Sequence, residues 1–176
     1  MKIGLCGTMS VGKTTLVNAL KDIPEFKGYT TRTERSKHLM SIGVPLNTDS
    51  TYKGQIMFAS ERASELLQED IITDRTVIDV MAFSILSTSM SHDEKVTISD
   101  LLGRMVEDYD VIFYVSPEGV EMEDNGVRET NLEYRTAIDS EIKKIIEYYN
   151  YKTTIIEIFG STEKRIELIK NAIKTL

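Results

Sequence analysis

A glycine-rich segment near the N-terminus constrains this chain more than any other feature. It reads Gly-Thr-Met-Ser-Val-Gly-Lys-Thr over residues 7–14 and matches the pattern G-x-x-x-x-G-K-[ST] in full. It follows the short apolar run 3–6 and precedes a helical pattern that begins near Lys13, so it links a buried strand to a helix. Glycines let such a backbone wrap around phosphate oxygens, and the helix N-terminus adds a favourable partial positive charge. The segment is therefore predicted to cradle the phosphates of a nucleotide.

The roles of individual residues in this segment follow from the chemistry of phosphate binding. Lys13 is expected to reach the β- and γ-phosphates and so to act in catalysis, and Thr14 is expected to offer its hydroxyl to Mg²⁺. ATP and Mg²⁺ are therefore the expected cofactors. An ordinary glycine turn with a surface lysine is the alternative, and the agreement of strand, loop and helix argues against it. The predicted nucleotide-binding residues are Gly7, Thr8, Met9, Ser10, Val11, Gly12, Lys13, Thr14 and Thr15.

Apolar patterns along the chain predict strands that alternate with helices. The predicted strands cover residues 3–6, 29–31, 71–73, 111–115 and 153–158. The predicted helices run from 13 until Pro24, over 51–69, 77–87, 95–109 and 131–149, and from 161 onward. This alternation predicts an α/β class fold, the three-layer P-loop NTPase architecture with a mainly parallel, five-stranded sheet flanked by helices. Because ligands of such sheets bind at the carboxyl ends of strands, the residues after each strand are the candidate site residues.

Length and charge limit the domain organisation and the partners. The chain has 176 residues, which suits a single domain over 1–176. Lys and Arg total 21 against 28 Asp and Glu, and the formal net charge of −7 disfavours broad nucleic-acid binding. No apolar run approaches the roughly 20 residues that cross a bilayer, so no membrane partner is expected. One cysteine, Cys6, and the lack of a secretory signal predict a cytoplasmic protein.

Two other classes of P-loop protein have little support in the sequence. A GTPase is expected to carry Asn-Lys-x-Asp after a later strand, and this tetrapeptide is absent. Large ATP-driven machines usually have Asp-Glu after an apolar strand, whereas this chain has Asp74 followed by Arg75. Without a glutamate to position an attacking water, hydrolysis of ATP is not the favoured chemistry.

The polar residues after the predicted strand 71–73 are candidates for catalysis and acceptor binding. A carboxylate at the end of a strand is able to hold Mg²⁺ or to accept a proton from an acceptor hydroxyl. Asp74 is therefore expected to be catalytic and metal-binding, and the sequence does not separate the two roles. Arg75 is expected to bind an acceptor phosphate or hydroxyl, and Asp79 to project toward the same opening. The alternative is a capping aspartate with a surface ion pair.

Further basic residues are candidates for the acceptor pocket and for the lid. Arg32, Arg35 and Lys37 follow the second predicted strand, where they line an acceptor pocket or form a solvated charged face. Arg128 comes just past a glycine in an otherwise acidic loop, and Arg135 follows at a spacing close to two helical turns. A lid that brings both arginines over the γ-phosphate would stabilise the spreading negative charge and exclude water. Arg128 is therefore a catalytic candidate as well.

Three segments resemble the small P-loop kinases grouped with the nicotinamide riboside kinase domain of bacterial bifunctional NAD-synthesis proteins. They read Gly-Thr-Met-Ser-Val-Gly-Lys-Thr-Thr-Leu-Val-Asn at 7–18, Asp-Arg-Thr-Val-Ile-Asp-Val-Met-Ala-Phe at 74–83 and Asp-Asn-Gly-Val-Arg at 124–128. The resemblance implies a nucleoside- or nucleotide-kinase-like fold that uses ATP and Mg²⁺. It also implies that residues 1–176 form a single P-loop kinase domain, with a lid at about 117–130 that carries Arg128. The acceptor site would lie between the segment after the second strand and the Asp-Arg segment.

The leading hypothesis is a phosphotransferase that moves the γ-phosphate of ATP to a hydroxyl or phosphate of a small nucleoside or nucleotide-like acceptor. A kinase acting on a polynucleotide end or a modified base is one alternative, in which a local basic groove serves a single strand. An ATP-binding regulatory module with a nucleotide-ordered lid is the other. The identity of the acceptor and the oligomeric state stay open.

Overall fold

The computed structural model describes residues 1–33, 36–120 and 131–176, apart from the side chain of Lys37. Strands and helices alternate along the described residues, as the apolar patterns predict. The strands are β1 (Lys2–Cys6), β2 (Thr30–Arg32), β3 (Ile71–Asp74), β4 (Val111–Val115) and β5 (Thr154–Ile158). The helices are α1 (Lys13–Lys21), α2 (Ser36–Ser41), α3 (Tyr52–Leu66), α4 (Val77–Ile85), α5 (His92–Gly103), α6 (Leu132–Tyr149) and α7 (Thr162–Ile173).

The strands form one sheet in which each neighbouring pair is parallel. Their order is β2-β3-β1-β4-β5, so β1 lies at the centre. Ile3 of β1 is paired with Ile72 of β3 on one side and with Val111 of β4 on the other. The predicted α/β class and five-stranded sheet are confirmed, and the described sheet is wholly parallel rather than mainly so. Because β1 and β3 are neighbours, the residues that follow them meet at the same edge.

Hydrophobic layers cover both faces of the sheet. Ile3 and Leu5 of β1 pack in one cluster with Leu16 of α1 and Ile169 of α7. Cys6 points to the opposite face and packs in a second cluster with residues of α3, α4, α5 and α6. Successive residues of a strand point to opposite faces, so β1 contributes to both layers. The sheet is the middle layer of the three-layer fold that the sequence predicts.

The boundaries of two segments differ from the sequence predictions. Helix α5 begins at His92 and ends at Gly103, whereas the predicted helix covered 95–109. The side chain of Ser91 accepts a hydrogen bond from the backbone N–H of Glu94, and the Glu94 carboxylate accepts one from the N–H of Ser91. This capping box fixes the start of the helix, and the apolar periodicity used for the prediction does not register it. Helix α3 covers Tyr52–Leu66, whereas the predicted helix covered 51–69.

No helix among the described residues is both long enough and apolar enough to cross a membrane.

Gly4, at the centre of β1, occupies a position where a side chain does not fit. A β-carbon there would lie 2.5 Å from Cγ2 of Thr76 and 2.9 Å from the ring of Tyr109, and both neighbours are buried. We expect Gly4→Ala to lower the free energy of unfolding by about 1–3 kcal/mol through overpacking, measured by urea denaturation. Gly28→Ala is the matched control, because a β-carbon at Gly28 meets no atom within 4 Å. Equal denaturation midpoints for the two variants would contradict the close packing around β1.

Candidate functional site

The glycine-rich segment 7–14, here called the P-loop, connects β1 to α1 at the carboxyl edge of the sheet. Gly7 has a φ of 148° and Gly12 a φ of 85°, and both values favour glycine. A β-carbon at Gly7 would also lie 2.7 Å from the carbonyl oxygen of Val115 in β4. The neighbouring strand therefore excludes a side chain at Gly7, and the loop needs both glycines to keep its shape.

Lys13 is the first residue of α1, and its side chain turns into the P-loop. Its Nζ donates to the carbonyl oxygens of Gly7 at 2.5 Å and Thr8 at 2.8 Å. Burial and the nearby positive charge of Arg75 lower the pKa of Lys13 to about 8. The ammonium group thus places a poorly hydrated positive charge inside the loop, where a phosphate would compete with the two carbonyl oxygens for it.

Thr14, in the first turn of α1, contacts Asp74 at the end of β3. The Thr14 hydroxyl donates to Oδ2 of Asp74, which is the last residue of β3 and is buried. A hydroxyl and a carboxylate are hard oxygen ligands of the kind that Mg²⁺ takes from a protein when phosphates and water supply the rest. The pair therefore fits the predicted metal. Elsewhere in the part of the chain that the structure describes, no group of three or more His, Cys, Asp or Glu side chains could hold a metal ion.

Arg75 lies beside the P-loop with a strained backbone. Its φ of 86° is unusual for a residue other than glycine, and such conformations cost of order 1–3 kcal/mol and cluster at functional sites. The N–H of Arg75 donates to the carbonyl oxygen of Leu5 at 2.9 Å, which ties this bend to the central strand. The guanidinium lies 3.7 Å from Oδ1 of Asp79 and 4.9 Å from the ring centre of Phe83. The strained bend thus directs Arg75 away from the sheet and toward α4.

Asp79, in the first turn of α4, connects that helix to the P-loop. Its Oδ2 accepts from the backbone N–H of Thr76 at 2.8 Å, and its Oδ1 accepts from the N–H of Gly7 at 3.2 Å. Thr76 caps α4 in a capping box with Asp79. The capping aspartate of the alternative interpretation is thus Asp79, and its ion pair with Arg75 is largely buried rather than on the surface. Asp79 is fully buried, and its predicted contact with an acceptor stays a prediction.

A second cavity, here called the acceptor cavity, shares Arg75 with the P-loop cavity and spans about 390 Å³ of space, part of which is open solvent. Arg75 and Asp79 line it, and Arg75 also lines the smaller cavity inside the P-loop. The rings of Phe58 and Phe83 and the side chain of Gln55 supply much of the remaining wall. An apolar pocket with a few polar groups is the usual form of a small-molecule site, and aromatic rings in its wall suit a flat heteroaromatic group.

Sequence reasoning missed the residues that α3 contributes to this cavity. Gln55 is buried, and Phe58 lies nearly one helical turn further along. Both fall beside the apolar stripe of the helix, where they look like core or surface positions. The one signal in the sequence was the spacing of Gln55, four residues before Ala59 and hence on the same helical face.

Of the basic residues predicted to follow β2, the structure describes the side chain of Arg32. Arg32 is exposed at the end of β2, an edge strand, and lines neither cavity. It lies close enough to Glu65 of α3 to interact with it electrostatically. Arg32 therefore lies outside the described lining of the acceptor cavity, and its contact with an acceptor stays a prediction. Arg35 and the side chain of Lys37 lie outside the described residues.

Of the two predicted lid arginines, the structure describes Arg135 but not Arg128. Arg128 and residues 121–130 of the predicted lid lie outside the described residues. Arg135 is buried in the first turn of α6, where its Nη1 donates to the carbonyl oxygen of Val120 at 3.0 Å. Its own carbonyl oxygen accepts from the Thr8 hydroxyl at 3.0 Å. Nε and Nη2 of Arg135 have no hydrogen-bond partner among the described residues. The structure thus places Arg135 against the P-loop, and its action on the γ-phosphate stays a prediction.

The site combines a loop that requires two glycines, a buried lysine and the Thr14–Asp74 pair at the carboxyl edge of a parallel sheet. Together these features define a P-loop nucleotide-binding protein. The chain belongs to the AAA domain family, whose model matches residues 2–165. The predicted P-loop family is thereby confirmed. Among the curated proteins, none matches this chain in sequence.

Solved structures of kinases share the fold. Deoxyadenosine kinase from M. mycoides with the products dCMP and a flexible dCDP bound has a TM-score of 0.72 and 19% identity over 99% of each chain. The same enzyme with bound dATP has a TM-score of 0.63 and 19% identity over 99% of this chain and 100% of that one. The NadR protein in complex with NR has a TM-score of 0.64 and 16% identity over 87% of this chain and 44% of that one. The predicted kinase-like P-loop fold is confirmed.

Proposed function

We propose that this protein is an ATP- and Mg²⁺-dependent kinase that transfers the γ-phosphate of ATP to a hydroxyl or phosphate of a small nucleoside or nucleotide. The position of Arg75 carries the proposal, because this side chain lines both the P-loop cavity and the acceptor cavity. A donor in one cavity and an acceptor in the other would meet at its guanidinium. The fold that the chain shares with a deoxyadenosine kinase supports the same conclusion.

On the donor side, the P-loop backbone and Lys13 bind the phosphates of ATP. Thr14 and Asp74 would hold Mg²⁺, which when bound neutralises charge on the phosphate oxygens. Lys13 and Arg75 then stabilise the negative charge that spreads over the transferring group. Arg128 and Arg135 complete this positive environment in the proposal by closing over the γ-phosphate, which would exclude water.

On the acceptor side, the base of a nucleoside lies between Phe58 and Phe83, and Gln55 bonds to its edge. This orientation directs the reactive hydroxyl or phosphate of the acceptor toward Arg75. Asp74, which lines the P-loop cavity beside Arg75, either orients the acceptor hydroxyl or takes its proton. The other proposed acceptor-binding residues are Arg32, Arg35 and Asp79. A cytoplasmic location stays a prediction, and the oligomeric state is open.

Release of ADP from ATP in the presence of different acceptors tests the function. The acceptors to compare are nucleosides, nucleoside monophosphates and short oligonucleotides, each with Mg²⁺ and with excess EDTA. We expect stimulation by a nucleoside or a monophosphate, and loss of the signal with EDTA. Stimulation by oligonucleotides alone would favour the polynucleotide kinase. Slow turnover that no acceptor changes, together with ATP-dependent binding of a partner protein, would favour the regulatory module.

Gln55 is expected to determine how well the acceptor binds. Gln55→Leu keeps the size of the side chain but removes its amide, which leaves the edge of the base without a partner. We expect the KM of the acceptor to rise about tenfold, and the KM of ATP to stay unchanged, in steady-state assays. Gln68→Leu, at the end of α3 and away from the cavity, is the matched control. If both variants have the same acceptor KM, Gln55 does not contact the acceptor.

A further inference from the structure

Arg165, on α7, is a buried arginine that reaches the P-loop from the far end of the sequence. Its Nη1 donates to the carbonyl oxygen of Val11 at 2.6 Å, and its Nη2 donates to the carbonyl oxygen of Ser116 at 3.1 Å. Val11 belongs to the P-loop, and Ser116 directly follows β4. The side chain is only 4% exposed. The guanidinium of Arg165 therefore connects the P-loop to the end of β4 and to α7.

The start of α7 holds Arg165 in this place. Ser161 caps the helix by accepting from the N–H of Lys164, and the N–H of Arg165 donates to the carbonyl oxygen of Ser161 at 2.9 Å. Gly12 gives the guanidinium room, because a β-carbon at Gly12 would lie 3.3 Å from Nη1 of Arg165. The second glycine of the P-loop thus has two reasons to lack a side chain, its positive φ and the approach of Arg165.

The charge of Arg165 is not neutralised by a carboxylate among the described residues. Its two hydrogen bonds go to backbone carbonyl groups, and its Nε has no hydrogen-bond partner within the described ranges. Burial lowers the pKa of the guanidinium. A buried cation without a counter-ion costs free energy, and a polyphosphate bound nearby would offset this cost.

Peptide geometry links the Arg165 hydrogen bond to the direction of a P-loop N–H group. In a trans peptide the carbonyl oxygen and the following N–H point to opposite sides. When Arg165 draws the Val11 carbonyl outward, the N–H of Gly12 is directed the other way, into the loop. A loop released from Arg165 would be free to turn this peptide and lose one phosphate ligand.

We propose that Arg165 is a positioning residue for the donor nucleotide: it fixes the Val11–Gly12 peptide so that the P-loop N–H groups face the phosphates, and its charge favours their binding. This inference rests on the proposed function only in requiring that the P-loop binds a nucleoside triphosphate. Helix α7 contributes no residue to either cavity as described. In this inference it nevertheless raises the affinity for the nucleotide through Arg165.

Direct binding of ATP to Arg165→Met, Arg165→Lys and wild type tests this inference by isothermal titration in the presence of Mg²⁺. We expect Arg165→Met to raise the Kd of ATP about tenfold or more. Arg165→Lys is expected to recover part of the loss, since an ammonium group reaches one of the two carbonyls. The KM of the acceptor should stay unchanged in all variants. Lys164→Met, at the exposed neighbouring position, is the matched control and should bind ATP as wild type does.

A wild-type Kd for ATP in folded Arg165→Met would overturn the inference, and so would a loss of thermal stability without a change in Kd. If Arg165→Met does not fold, Arg165→Lys decides: a wild-type Kd in that variant overturns the inference, and a raised Kd supports it. The proposed function fails separately, when wild type binds ATP but no acceptor stimulates ADP release. A wild type that binds no ATP would overturn both.

Discussion

Replacing Lys13 with methionine is expected to lower kcat for phosphoryl transfer about 10²–10³-fold or more. The side chain of Lys13 carries the one ammonium group that the described structure places inside the P-loop, on the carbonyl oxygens of Gly7 and Thr8. The transferring phosphoryl group gains negative charge on its outer oxygens, and a fixed positive charge in a water-poor loop lowers the energy of that state. Methionine has a similar length without the charge. The measurement is kcat with saturating ATP and the acceptor that the screen identifies.

Folding and activity are separable in this variant. Lys13 is buried and its charge is poorly solvated, so its replacement by an apolar side chain should not lower the thermal unfolding midpoint. Lys21→Met, at the exposed end of the same helix, is the control and should keep wild-type kcat. A folded Lys13→Met protein with near-normal kcat would remove Lys13 from the catalytic residues.

Replacing Asp74 with asparagine is expected to lower kcat about 10²–10⁴-fold. Asparagine has the same shape and still offers an oxygen to the Thr14 hydroxyl, which donates to Asp74 in the structure. It lacks the negative charge that holds a divalent cation and the basicity that takes a proton. The measurement is kcat as a function of Mg²⁺ concentration, with Asp100→Asn on the exposed face of α5 as the control.

The Mg²⁺ dependence separates the two roles proposed for Asp74. If the carboxylate holds the metal, the half-saturating Mg²⁺ concentration rises and high Mg²⁺ restores part of the activity. If it takes the proton of the acceptor, kcat falls while the half-saturating concentration stays the same. Near-normal transfer at every Mg²⁺ concentration would exclude both roles.

The features of the site that depend on local sequence were predictable. The P-loop pattern needs only adjacent residues, and the strand that contains Asp74 is a short apolar run. Once the sheet is parallel with β3 beside β1, the contact between Thr14 and Asp74 follows from topology. Periodicity therefore predicts both the fold class and the donor side of the site.

The acceptor cavity and Arg165 could not be predicted in the same way. Gln55 and Phe58 line the cavity only because α3 packs beside α4, and no pattern within α3 encodes that packing. Arg165 lies in an amphipathic helix among charged residues, where a sequence reader places it on the surface. Its burial results from a contact with Val11, 154 positions earlier in the chain.

The carboxylate of Asp79 links the acceptor cavity, which it lines, to the P-loop, since it accepts from Gly7 of the P-loop and from Thr76 at the start of α4. A displacement of Gly7 when ATP binds would therefore change the position of α4 relative to the acceptor. Thermodynamic linkage makes such an effect reciprocal: the factor by which ATP alters the affinity of the acceptor is the factor by which the acceptor alters the affinity of ATP. Any such cooperativity between the two substrates would pass through this one buried side chain.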